Sequence, residues 1–93
     1  MYEVFIEYKV YPEKRDAYLQ WIRTKMERFP QFSLYEGVEQ PSQFVEMWPL
    51  SQPEIERMKK ERTGAVPSEW SALNEFVVGG LERLHIWPFR RIA

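Results

Sequence analysis

Tyr2 to Tyr11 alternates strictly, with Tyr2, Val4, Ile6, Tyr8 and Val10 on one side and Glu3, Phe5, Glu7 and Lys9 on the other. A period of two with β-branched and aromatic residues predicts a strand. Pro12 then opens a helix, where its missing N–H is not needed, and Glu13 and Asp16 suit the positive end of the helix dipole. Tyr18, Trp21, Ile22, Met26 and Phe29 recur at helical spacing until Pro30 stops the pattern. Phe32 to Glu39 reads as a second strand, with Leu34 and Val38 facing one way and Tyr35 the other; Gly37 marks a bulge or a close approach. Gln40-Pro41-Ser42-Gln43 is a turn, and Phe44 to Trp48 returns as a third strand.

Ser51-Gln52-Pro53-Glu54 has the form of a capping box. It predicts a short, charged surface helix from about Gln52 to Arg62, with Thr63-Gly64 as its stop. Pro67 restarts a helix bearing Trp70, Leu73, Phe76 and Val77, and Gly79-Gly80 ends it in left-handed conformations. Leu81 to Phe89 is the last strand, alternating Leu84 and Ile86 with Arg83, His85, Trp87 and Phe89.

The predicted order is βαββαβ across a single domain, residues 1–93. This is the α+β, ferredoxin-like arrangement: a four-stranded antiparallel sheet with both helices on one face. The aliphatic set (Val4, Ile6, Tyr8, Val10, Leu34, Val38, Val45, Met47, Leu84, Ile86) is expected under the helices. Phe5, Glu7, Tyr35, Phe44, Glu46, Trp48, His85, Trp87 and Phe89 are then expected on the free face. Six aromatics are too many for a wet sheet face, so a homodimer that covers it is expected. Such a pairing encloses either a cavity suited to a small aromatic ligand or a dry interface.

Composition sharpens this picture. Aromatics make up 16% of the chain, more than one small core needs. The net charge of −1 offers no case for nucleic acid or an anionic membrane. The absence of cysteine removes disulfides, thiolate catalysis and thiolate metal sites, and one histidine rules out a multi-histidine metal centre. With no signal-like leader and no apolar stretch of membrane length, a cytoplasmic protein is expected.

On the free face, His85, Glu46 and Glu7 are the candidate catalytic residues, as acceptors of a proton from a phenol or enol. Phe5, Tyr35, Trp48, Trp87 and Phe89 are the candidate substrate contacts. The bland alternatives stay open: His85 at a rim, and Glu7 or Glu46 in a salt bridge, with Arg83 as partner. Lys59-Lys60 with Arg62, and Arg90-Arg91, read as solvated basic runs.

The element order, the segment Phe44-Val45-Glu46-Met47-Trp48-Pro49-Leu50-Ser51 and the closing aromatic strand resemble the dimeric α/β-barrel superfamily, in its antibiotic-biosynthesis-monooxygenase-like group. The resemblance implies a homodimer and, as an activity, cofactor-independent oxygenation of a small quinone-type aromatic. Non-catalytic binding of a small ligand or a protein is the alternative. Haem-degrading relatives carry an Asn, a Trp and a helical axial His. Here Trp70 and Asn74 fall on the second helical region while His85 reads as strand, so no cofactor is expected, with haem left open.

Overall fold

The computed structural model describes all 93 residues. Four strands, β1 (Tyr2–Lys9), β2 (Ser33–Glu36), β3 (Gln43–Leu50) and β4 (His85–Phe89), form one sheet in the order β2-β3-β1-β4. Every neighbouring pair is antiparallel. Helices α1 (Arg15–Arg28) and α2 (Gln52–Arg62) supply the crossovers. This is the ferredoxin-like α+β fold, and no helix is long and apolar enough to cross a membrane.

In an antiparallel pair, residues directly opposite share a face. Val4, Ile6 and Tyr8 lie opposite Trp48, Glu46 and Phe44. All six are buried on the helix side. The expected orientation of β3 is therefore inverted: Phe44, Glu46 and Trp48 point into the core, and Val45 and Met47 point to the free face. With a side-chain period of two, such an inversion moves every residue of the strand at once. The physical reason is a buried charge with its partner, described below.

β2 stops at Glu36, short of the expected Glu39, and Val38 is 96% exposed instead of packed. The chain turns at Gly37, where a Cβ would lie 2.8 Å from the Gln40 carbonyl oxygen. Ser42 then takes a left-handed φ of 68° while buried. Its N–H donates to Glu36 Oε2 at 2.9 Å, and its carbonyl accepts Val10 N–H at 2.8 Å. Glu36 also receives both arms of Arg15, at 2.9 and 2.7 Å. One carboxylate thus ties the first turn of α1 to the β2–β3 turn.

The helix expected after Pro67 is instead a 3-10 turn, Ser71–Glu75. Ser68 Oγ accepts the Trp70 N–H, and Ser71 Oγ accepts the Ser68 N–H, so side chains compete with the helical ladder. Val10 and Val77 then form a β-bridge, with Val78 N–H on the Lys9 carbonyl and Tyr11 N–H on the Phe76 carbonyl. The segment ends paired antiparallel beside the residues that continue β1, and cannot stay helical there. Trp70, Leu73 and Val77 are buried as their spacing predicts. β4 begins only at His85, because a 3-10 turn over Leu81–Arg83 is capped by Asn74 Oδ1, 3.0 Å from the Leu81 N–H.

α2 is less superficial than expected. Its apolar content is thin, yet Ile55, Met58 and Arg62 form a buried stripe. Arg62 is 1% exposed, which removes it from the solvated basic run.

The Arg15 and Ser42 hydrogen bonds hold the Glu36 carboxyl down at about 2. A carboxyl lowered on folding adds stability above its unfolded value of ~4.3, and that stability is lost as pH falls toward its folded value. Glu36→Gln should therefore lower the urea midpoint near neutral pH, by about 1 kcal/mol or less for so accessible a pair. The difference from wild type should close as the pH drops from 4 toward 2.

Candidate functional site

Glu46 lies at the centre of β3, opposite Ile6, and is 0% exposed. Four donors meet its two oxygens. Arg62 Nη1 and Nη2 bind Oε2 and Oε1 at 3.0 and 2.6 Å. Tyr8 OH donates to Oε2 at 2.6 Å, and Trp48 Nε1–H to Oε1 at 2.8 Å. Since the Tyr8 proton is committed to Glu46, the Tyr18 hydroxyl, 2.5 Å away, donates to Tyr8. No fully buried side-chain polar atom is left without a partner. A buried ion pair is tolerated only under that condition.

Burial raises the Glu46 carboxyl, but the Arg62 charge, the Arg62 hydrogen bonds and those from Tyr8 and Trp48 outweigh it and hold the group below the usual carboxylate range. Burial, chiefly, pushes Tyr8 and Tyr18 up, so both stay protonated donors. Glu46 is thus a fixed anion with every acceptor site filled, and it orients Arg62. Arg62 in turn lies over Trp70, with its guanidinium carbon 3.5 Å from a ring centre. At that distance the contact is a cation–π stack.

Arg62, Trp48 and Trp70 of this cluster line a cleft of about 300 Å³ between the end of α1, α2 and the segment at Trp70. That volume is at the lower bound for small-molecule sites, ~300–1,000 Å³. Phe29, Trp48, Leu50, Met58 and Trp70 supply its apolar walls. Trp48 stacks on Phe32 at 4.4 Å and 9°, and meets Trp70 edge-on at 5.7 Å, which makes the wall rigid. Arg28, Arg57, Glu54, Glu61 and Glu69 stand around it. Most of these charges are engaged. Glu54 accepts Ser51 N–H and Oγ–H, and Glu69 pairs with Lys25 at 3.2 Å and Arg28 at 3.6 Å. Glu61 and Arg57 have no ion-pair or side-chain hydrogen-bond partner.

The expected site residues divide between two sides of the sheet. Glu7 and His85 are register partners on the free face, as are Phe5 and Trp87. Phe5 meets Phe89 edge-on at 5.3 Å, and His85 stacks on Trp87 at 5.9 Å. Tyr35 shares that face from β2, opposite Val45. Glu46 and Trp48 do not share it; they belong to the core and the cleft. Glu7 and Glu46 therefore form no carboxylate pair. Arg83 sits in the turn before β4 and makes no ion pair, the partner of Glu46 being Arg62.

Arg62, Trp70, Phe29 and Glu61 were not singled out for a site by sequence. The available signal was the helical spacing of Ile55, Met58 and Arg62, which puts an arginine on the one apolar stripe of α2.

No protein-family model and no curated protein matches the chain. Among solved structures, the chain is similar to one described as a crystal structure of antibiotic biosynthesis monooxygenase. The TM-score is 0.75 at 14% identity, over 100% of both chains. The chain thus has the fold of that monooxygenase.

Breaking the pair from one side strands a buried charge. Arg62→Met or Glu46→Gln alone should cost about 3–5 kcal/mol in urea unfolding. The Glu46→Met/Arg62→Met double variant should cost less than the sum of the two single methionine variants by at least about 1 kcal/mol. Additive losses would show that the two groups do not act as a pair.

Proposed function

We propose that the chain is a monooxygenase-like protein that takes a small, planar, electron-rich aromatic into the cleft beside Arg62. The observation that carries this reading is the aromatic wall of Trp48, Trp70 and Phe29, set against a guanidinium held rigid by Glu46. Flat aromatic walls select a flat ligand, since rings gain most from offset-stacked or edge-on contact. The fold it shares with a monooxygenase supports the reaction class.

The chemistry asks little of the protein. A proton leaves an acidic phenol or an activated ring CH2, and the resulting anion reduces dioxygen. A ring carbon becomes a carbonyl carbon with one oxygen atom, the O–O bond breaks, and the other oxygen leaves as water with the two hydrogens the substrate gives up, so all four electrons come from the substrate. Glu61 is the cleft carboxylate without a partner, and we assign it the proton. Arg57, also unpaired, stabilises the anion that forms. Glu46 acts through Arg62 as a positioning residue.

Oxygen uptake with hydroquinone-type substrates should exceed the uncatalysed rate. Gln31→Trp, at the exposed mouth of the cleft, should lower it about tenfold or more by misplacing the ring. Glu61→Gln should lower turnover while leaving tryptophan quenching by the same compound unchanged. His85→Ala should have no effect. Loss in His85→Ala with normal Gln31→Trp would move the reaction to the free face. Saturable quenching without uptake would leave a ligand-binding protein.

The free face belongs to the same proposal as the seat of a second copy. Tyr35, Trp87 and Phe89 are each about half exposed there, at 56, 49 and 51%. Covering each such side chain is worth up to ~1.5–3 kcal/mol. β1 carries Glu3 at one end of this face and Lys9 at the other, so an antiparallel two-fold pairing sets unlike charges together. Light scattering at micromolar concentration should give twice 11.3 kDa, and Trp87→Glu should give 11.3 kDa. A wild-type monomer would remove the pairing.

A further inference from the structure

A second cleft, of about 350 Å³, lies at the end of the sheet where β1 begins and β4 finishes. α2 closes its other side with Gln52, Ile55 and Lys59, three residues on one helical face. Tyr2, Pro88 and Phe89 come from the strands, and Arg90 follows directly after β4. Its charge differs in kind from that of the first cleft. Lys59 and Arg90 line it, and no carboxylate does.

Neither cation has a partner. The ion pairs of the protein use Arg15, Lys25, Arg28 and Arg62. The α2 acids nearest in sequence are turned to other groups: Glu56 accepts from Gln52 Nε2 at 3.1 Å, and Glu54 from Ser51. Lys59 is half-buried on this face and makes no ion pair. Arg90 stands over the Tyr2 ring at 5.8 Å and makes no side-chain hydrogen bond. Two cations without ion-pair partners around one hollow repel each other and attract an anion, and a guanidinium suits the planar oxygens of a carboxylate or phosphate. Tyr2, Ile55 and Pro88 offer apolar contact beside them.

We infer that this second cleft binds a small oxyanion attached to an aromatic group, with Lys59 and Arg90 receiving the charge and Tyr2 receiving the ring. The site is separate from the cleft at Arg62 and stands whether or not that cleft carries out oxygenation.

The test is an amide NMR titration of the full chain with phenyl phosphate, benzoate and neutral benzyl alcohol. Saturable shifts at Ile55, Lys59 and Arg90 are expected with at least one anion and not with the alcohol. The anion that saturates distinguishes phosphate from carboxylate. Lys59→Gln/Arg90→Gln should weaken binding about tenfold or more with the remaining spectrum unchanged, and Gln31→Trp should leave it intact. Equal binding of benzyl alcohol, linear shifts that never saturate, or undiminished binding by the double variant would overturn the assignment.

Discussion

The buried pair between Glu46 and Arg62 is the constraint around which the rest of this domain is arranged. A carboxylate in the middle of a core strand is costly on its own. It persists here because a guanidinium, a phenol and an indole fill all its acceptor positions. To supply that guanidinium, α2 must lie with its last turn over the sheet. To accept it, β3 must turn its even-numbered residues inward. The orientation of a strand, the docking of a helix and the back wall of a cleft therefore follow from one interaction.

That arrangement separates two surfaces which a simple pattern reading merges. Turning Phe44 and Trp48 inward thickens the aromatic layer between sheet and helices and leaves a cleft there. It also leaves the free face less aromatic than the alternation implies, with Val45 and Met47 in their place. The free face keeps Tyr35, Trp87 and Phe89 half exposed, while Arg57 and Glu61, which have no ion-pair partner, line the cleft. Glu7 and His85 remain on the free face without Glu46.

Much of the fold is legible in the sequence because it rests on local periodicity. β1 alternates without exception, α1 is bounded by two prolines, and the capping box at Ser51 marks the start of α2. The element order and the sheet topology follow from these. What escaped is whatever depends on a partner distant in sequence. A glutamate at position 46 looks solvent-facing until Arg62, sixteen residues on, neutralises it. Residues 71–75 have helical spacing, yet two serine hydroxyls and the Val10–Val77 bridge override it. Half of the candidate site is legible in the same way. The strand aromatics and acids stand out by residue type, but the face they occupy depends on β3, whose orientation sets Trp48 and Glu46 on the side of Phe29, Glu61 and Trp70 and apart from Glu7 and His85.

The central claim is that the Arg62 guanidinium is locked in place by Glu46 inside the folded core. Arginine side-chain NMR tests it most directly. Separate, slowly exchanging Nη protons are expected for Arg62, as protected as the core amides of β1 and β3, while the exposed Arg57 gives a single averaged signal. A fast-exchanging, averaged Arg62 in the folded protein would contradict it.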